Sequence, residues 1–347
     1  MKFLNLIFIL VVFLKTETLF SKSNLFHVNN IQLEKNDKVT NKELSELAIK
    51  QGFDQLLERI LLIKDRDRLS DLDFFSIKNL VTYYQIINIS EEKDNNEILN
   101  FNILFDKNKI HDLFYEKEIL YSEISDKEFY VLPILIKENE IFIFNNNFFY
   151  KNWNEIDENK LIEFILPLEN IEIVKKINDN KENLINLDIN ILFQEYVNKN
   201  LALILIEDFK TDNMKIFIKS SIQGKKITKS LNFKKKKTVD NNFYEKILIK
   251  SKKELVNLVK SNNLINIRTP SFLNTKLNLD KKNNLVELNS RVKNIDTIEN
   301  IYVQEFNKDS MNLKIKYLGK LEKLINDLKK ININLELKDD QWVIKTL

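Results

Sequence analysis

The chain has 347 residues, of which 44% are apolar and 30% charged, with a net charge of +3 at neutral pH. That length allows two or three domains, and the apolar share lets each bury a core. The balanced charge gives no sign of a nucleic-acid or acidic-substrate binder, and the absence of cysteine excludes disulfides, thiolate nucleophiles and cysteine-held metals.

Residues 1–23 read as a secretory signal peptide. Lys2 supplies the positive start, Leu6 to Leu14 is an unbroken apolar run, and Ser21-Lys22-Ser23 is a small-x-small cleavage site. Phe3 to Leu14 would make a helix of roughly 18 Å, short of the ~30 Å of a bilayer core. The expectation is therefore export to the periplasm. Lys15 and Glu17 crowd the cleavage region, which keeps open an uncleaved inner-membrane anchor. A lipoprotein is excluded because no cysteine follows the apolar run. Loss of the leader removes three lysines and one glutamate and leaves a charge of about +1.

Residues 24–126 read as an N-terminal α/β domain. His27 to Glu34 is a strand, and Thr40-Asn41-Lys42-Glu43 is a capping box opening a helix to about Leu62. Leu44, Leu47 and Ala48 share one face of that helix, whereas Phe53, Leu57 and Ile60 share the opposite one. The helix is then either enclosed on two sides or broken near Gly52. A second helix, about Asp71 to Thr82, leads to strands at Tyr84–Glu91 and Ile98–Phe105 around the turn Lys93-Asp94-Asn95-Asn96. Lys109 to Ile119 is again helical.

Residues 127–262 read as a middle α/β domain. Phe129–Ile136 and Ile141–Phe149 are apolar strands around a Lys137–Glu140 turn. Leu161–Leu166 and Leu201–Ile206 are continuous apolar runs, which suit strands buried on both faces. Met214–Ser221 and Lys226–Phe233 form a hairpin around Gln223-Gly224. Helices are expected at about Ile171–Ile177, Ile189–Val197 and Asn242–Val259.

Residues 263–347 show the clearest pattern. Leu273, Thr275, Leu277 and Leu279 alternate as a half-buried strand, and Leu285, Leu288, Val292 and Ile295 step as a helix. Strands Ile301–Phe306 and Met311–Tyr317 follow, then Gly319 and a helix carrying Leu321, Leu324, Ile325, Leu328 and Ile331. Ile333, Leu335 and Leu337 form the next strand, and Asp339-Asp340 turns into a last strand carrying Trp342 and Ile344. The order β-α-β-β-α-β predicts a ferredoxin-like sandwich with an extra edge strand. The fold class expected for the whole chain is α+β, with three small α/β domains behind the leader.

With these elements in place, the chain resembles an uncharacterised proteobacterial envelope family, "domain of unknown function 2066". The matching residues are Phe26-His27-Val28, Leu56-Leu57-Glu58-Arg59, Val131-Leu132-Pro133, Leu166-Pro167, Tyr196, Tyr317-Leu318-Gly319 and Trp342. Phe149 and Trp153 stand at the spacing of two family tryptophans. Phe149 itself departs from the family pattern, as do Asn198 and Asn332 where glycines are usual. The resemblance implies an exported protein and carries over no catalytic residues. The middle domain is also loosely similar to the amino-terminal domain of the Tol-system β-propeller protein, which implies protein–protein work in the envelope.

The residues themselves offer four candidate groupings. His27 is a general base only if a carboxylate or hydroxyl lies beside it, and His111, next to Asp112, needs further ligands to hold a metal; structural roles outweigh both. Asp65-Arg66-Asp67-Arg68, with Asp71 and Asp73, could hold a hard cation, but alternating acids and bases also pair with each other. Lys234, Lys235, Lys236 and Lys237 could touch anionic headgroups, at about 1 kcal/mol each, against a plain solvated loop. Phe149 and Trp153, four apart, share a helix face as core or else anchor a peptide partner.

The reading that follows is a non-enzymatic periplasmic protein that binds another envelope component, with no cofactor, no metal and no nucleic acid. Two alternatives stand beside it. One is a carboxylate-based envelope hydrolase using Asp65, Asp67 and His27. The other is a peripheral membrane-surface protein using Lys234–Lys237.

Overall fold

In a computed structural model, the described residues are 25–35, 39–89, 97–124, 127–155, 161–235, 241–280, 284–293 and 295–347. The leader, the turn Lys93–Asn96, and Lys236 and Lys237 lie outside them. The protein mixes helices and sheets as an α+β chain. The first elements are β1 (His27–Lys35), α1 (Asn41–Ile60), α2 (Phe74–Asn79), β2 (Val81–Ile89), β3 (Glu97–Phe105) and α3 (Lys107–Glu116). The middle elements are β4 (Glu128–Lys137), β5 (Glu140–Phe142), α4 (Phe148–Asn152), β6 (Glu163–Ile165), α5 (Ile171–Asp179), β7 (Asn200–Asp208), β8 (Asn213–Ile222), β9 (Lys225–Lys234) and α6 (Asn241–Asn262). The last are β10 (Ser271–Asn278), α7 (Leu285–Val292), β11 (Ile298–Phe306), β12 (Ser310–Tyr317), α8 (Leu321–Lys330), β13 (Ile333–Lys338) and β14 (Gln341–Thr346). No helix among the described residues is long and apolar enough to cross a membrane.

These elements fall into two compact units. Unit 1 lies within Met1–Glu123, Ile265–Leu318 and Leu335–Leu347, and unit 2 within Ile124–Leu264 and Gly319–Asn334.

In unit 1, an antiparallel sheet of order β1-β3-β2 is packed against α1. The capping box forms as expected: the Glu43 amide donates to Thr40 Oγ1 at 3.2 Å, and the Thr40 amide donates to Glu43 Oε2 at 2.9 Å. The helix then runs unbroken through Gly52, and its buried stripe is Leu44, Ala48, Ile49, Phe53, Leu56, Leu57 and Ile60. Leu47, assigned to a buried face from the sequence, is exposed. Neither expected alternative holds, because Ile49 and Gly52 bridge the two apolar clusters into one stripe. Gly52 sits where the helix comes closest to the sheet: a Cβ there would lie 2.8 Å from Ile103 Cδ1 and 3.0 Å from Ile31 Cδ1. Both atoms are ends of flexible side chains, so Gly52→Ala should stay within about 1 kcal/mol of wild type, its helix-propensity gain offsetting the crowding. Gly52→Val adds branched bulk at the same contact and is expected to cost about 2 kcal/mol in urea unfolding.

The second sheet of unit 1 has the order β11-β12-β10-β14-β13. The expected extra edge strand is not at an edge. β14 runs parallel to β10, with Thr275 opposite Trp342 and Leu277 opposite Ile344, and leaves β13 at the border of the sheet. A two-residue turn at Asp339 and Asp340, both left-handed (φ 46° and 59°), folds β14 back inside β13. The division suits their patterns: Ile344 and Thr346 of β14 are buried, whereas β13 ends in exposed Leu337 and Lys338. Charge at a border strand discourages pairing with other chains.

Unit 2 is layered around a sheet of order β9-β8-β7-β4-β5, with β6 also pairing β4. β4 and β7 are parallel over nine pairs, from Phe129–Asn200 to Lys137–Asp208. Their alternate residues feed two separate cores. Val131, Ala202, Ile204 and Ile206 join one with Leu248, Leu255 and Val259 of α6. Leu132, Ile134, Leu203 and Leu205 join the other with Ile173 and Ile177 of α5. Burial on both faces explains why these strands read as continuous apolar runs. The β8–β9 hairpin closes at Gln223-Gly224, both with positive φ (50° and 77°), the turn whose backbone matches strand twist.

Three elements depart from the sequence reading by more than a turn or a few residues at one end. The strand expected over Ile141–Phe149 stops at Phe142, because Asn147 caps α4: its Oδ1 accepts from the Phe149 amide at 2.9 Å and its Nδ2 donates to Pro133 O at 2.8 Å. The helix expected over Ile189–Val197 is a single turn, Ile189–Leu192. The helix expected over Asp71–Thr82 starts at Phe74 behind the Asp73 cap and ends at Asn79, and Val81 already belongs to β2.

Candidate functional site

The candidate site is an open cleft of about 530 Å³ in unit 1, across the five-stranded sheet. β10 contributes Asn274 and Thr275, and β12 contributes Asn312. Gln304 and Glu305 come from β11, and Asp340, Gln341 and Trp342 from the turn into β14. At about 4.8 Å between neighbouring strands, the four strands spread these groups over roughly 14 Å. Asn312 Nδ2 donates to Glu305 Oε2 at 2.7 Å and so orients that carboxylate. Thr275 is 2% exposed, and its hydroxyl has no hydrogen-bond partner. The cleft is rich in groups that accept and donate hydrogen bonds, and Lys276 and Lys314 stand directly across the strands from Asn312 and Asn274. Sequence reasoning passed over it, because each polar residue looked like the outward half of an ordinary alternation, or like a turn. The outward residues of β10 and β12 alternate carboxamides, Asn274 and Asn312, with Lys276 and Lys314, so the pattern by itself singles out no site.

Phe149 and Trp153 are buried in unit 2, at 1% and 0% exposure. Trp153 meets Phe164 edge-on at 5.9 Å, and Phe149 lies 5.2 Å from the Tyr244 ring. Both act as core, which is a correction to their reading as anchors for a peptide, since neither reaches the surface. Of the lysine run, Lys234 is exposed. Lys235 points inward, its Nζ 2.6 Å from Asp208 Oδ1 and also donating to the Phe209 carbonyl. An ammonium paired with Asp208 and largely covered is not offered to lipid headgroups, so Lys235 leaves that candidate surface.

The carboxylate–histidine grouping does not assemble into a metal site: among the described residues no cluster of three His, Asp or Glu could hold an ion. Arg68 pairs with Asp65 at 3.8 Å and donates to the carbonyls of Lys117 and Glu118, while Arg66 pairs with Glu58 at 3.5 Å. The charge that bears on His27 is the Arg59 guanidinium, second to burial in lowering its pKa. Arg59 Nη1 donates to the carbonyls of Leu25 (3.1 Å) and His27 (2.7 Å), clamping the end of α1 to the start of β1. This contact joins the sequence segments Phe26-His27-Val28 and Leu56-Leu57-Glu58-Arg59. Arg59→Ala is expected to lower stability by about 2 kcal/mol in chemical unfolding, since it removes two charge-assisted hydrogen bonds. Arg59→Lys should restore only part of that, because the flexible ammonium lacks the pre-organised planar geometry that holds Nη1 between both carbonyls. His111 packs among Phe26 and Tyr121, with ring centroids 5.7 and 5.2 Å away.

No family model and no curated protein matches the chain. Among solved structures, the crystal structure of an uncharacterized protein matches 40% of this chain and 100% of its own, at 9% identity and a TM-score of 0.18. A likeness at that TM-score carries no statement about fold or function.

Proposed function

We propose that this is an exported, non-enzymatic protein of the cell envelope that binds another envelope component. The observation that carries the binding reading is the polar cleft of unit 1. It gathers carboxamides and two carboxylates on four strands of one sheet. Ligand sites need a few well-placed polar groups on a rigid scaffold. Export rests on the positive start, apolar run and small-x-small site within residues 1–23, and on the resemblance to the envelope family. A ferredoxin-like layout of β10, α7, β11, β12, α8 and β13, with β14 inserted beside β10, is part of this reading.

The test is mass measurement of the protein from fractionated host cells, with a photo-reactive residue placed at Gln341. A periplasmic species beginning near Lys22 or Asn24 that gives a discrete adduct is the expected result. A full-length species in the cytoplasm would overturn the reading, and a full-length species in the membrane fraction would replace the soluble form with an anchored one.

A further inference from the structure

We propose that two copies of this chain pair through the free edge of β2 in unit 1. The two β2 strands run antiparallel about Gln85, and two three-stranded sheets become one sheet of six. The inference concerns a different surface from the cleft and does not depend on it.

A border strand presents a row of unpaired backbone N–H and C=O groups, and proteins guard such edges with charge or proline. Most long border strands of this protein follow that rule. β1 carries Glu34 and Lys35, β11 carries Glu299 and Glu305, and β13 carries Glu336 and Lys338. β9 carries Lys225, Lys226, Lys229 and Lys234. β2 is the exception. It lies at the border of the order β1-β3-β2, is nine residues long, and has no charged residue and no proline. Among the described residues no strand pairs with its outer side. Tyr83, Tyr84, Ile86 and Ile87 are large, apolar and 38 to 51% exposed. They occupy both faces of the strand. Tyr84 and Ile86 stand opposite the core residues Ile103 and Phe101 of β3, whereas Tyr83 and Ile87 stand opposite Leu104 and Asn100.

Self-complementarity identifies the occupant as a second copy. With Gln85 opposite Gln85 of the second copy, Tyr84 meets Ile86 on one face and Tyr83 meets Ile87 on the other, each pair twice. Aromatic rings opposite β-branched side chains are favourable cross-strand pairs. The two-fold axis makes each contact isologous, and an uncharged strand sets no like charges against each other. Register by register, the strand is its own partner. On the helix side, Tyr84 and Ile86 line a groove of about 230 Å³ with Ile49 of α1 and Phe74 of α2. The second copy's Ile86, beside Tyr84, would cover the mouth of that groove. Two paired edges make a small interface, so dimerisation in the micromolar range is expected.

The chain has no cysteine, so a single introduced thiol reports the register. Full-length Gln85→Cys and Tyr83→Cys would be oxidised at micromolar concentration and separated without reductant. Opposed residues have Cβ atoms about 4.5–5.5 Å apart, within reach of a disulfide, so Gln85→Cys should link into a dimer. Two Tyr83→Cys thiols would lie four residues apart along the strands, roughly 13 Å, and should stay unlinked. Sedimentation of Gln85→Glu and Gln85→Lys gives a second reading. Each places like charges on the axis and should weaken the dimer about fivefold, while an equimolar mixture of the two should regain it. Gln85 is exposed, so the melting temperature of the monomer should not change. A wild-type monomer throughout the micromolar range would overturn the proposal. Self-association that leaves Gln85→Cys unlinked, or that links Tyr83→Cys equally well, would overturn it too, by moving the contact to another surface or register.

Discussion

Asp208→Ala is expected to destabilise unit 2 by about 3–5 kcal/mol, the cost of leaving a buried charge without its partner. Asp208 ends β7 at 6% exposure. Its Oδ1 lies 2.6 Å from Lys235 Nζ, and its Oδ2 accepts from the Tyr244 hydroxyl at 2.5 Å. The Lys235 side chain is 11% exposed and donates as well to the Phe209 carbonyl. Burial, with the Asp208 hydrogen bond second, pushes the Tyr244 phenol well above its usual range. The Tyr244 ring in turn packs against Phe148 and Phe149, at 5.3 and 5.2 Å. One carboxylate therefore ties the end of β7, the strand exit after β9, α4 and α6 together. Removing it strands the Lys235 ammonium and leaves Tyr244 without its acceptor. Urea unfolding checks the size of the loss. A cost under about 1 kcal/mol would mean that Lys235 is hydrated once its partner is gone, and that the pair is a surface one. Replacing both members together, as Asp208→Leu with Lys235→Met, should recover most of the loss, because no unpaired charge then remains.

Lowering the pH from 7 to 4 should cost the protein about 3 kcal/mol through His111 alone. His111 is 7% exposed, its Nε2 has no hydrogen-bond partner, and aromatic rings flank it. Burial, with the positive charge of Lys107 second, lowers its pKa from 6.5 to about 4. The folded pKa thus lies below the unfolded one. As pH falls through about 6.5 the unfolded chain takes up a proton that the native state refuses, and stability drops. The loss is complete once pH has passed about 4, where the native imidazole protonates too. Above pH 7 the site contributes no slope. Other groups titrate over the same range; burial raises the Asp54 and Glu207 carboxyls, for example, which acts in the opposite sense. The measurement is therefore the difference between wild type and His111→Phe, in urea unfolding at a series of pH values. The wild type should lose more stability on acidification, the gap widening from pH 7 and levelling off near pH 4. Parallel curves would show that His111 finds a partner when charged.

The local chemistry of the chain made many elements legible without coordinates. The capping box at Thr40–Glu43, the alternation through Leu273–Leu277, the hairpin at Gln223-Gly224 and the apolar run Leu201–Ile206 are all short-range signals. Each acts through neighbours within a few residues, and each formed where periodicity or turn chemistry placed it. Legibility failed where one distant contact decided. The run Ile141–Phe149 has strand composition, yet Asn147 reaches back to Pro133 O and converts its second half to a helix. Gly52 looked like a helix breaker until a sheet was laid against it. Lys235 looked like the second of four equivalent lysines, and only the end of β7 distinguishes it.

The sequence by itself determined the α+β class, the absence of any disulfide, and the apolar faces from which the cores are built. Tertiary structure alone decided that Phe149 and Trp153 are core, that β14 lies inside β13, and that Asn274, Gln304, Asn312 and Gln341 share one cleft. Secondary structure follows from a period that a few residues can express. A binding surface requires strands far apart in the chain to pair in one register, and that register is set by burial summed over the whole sheet.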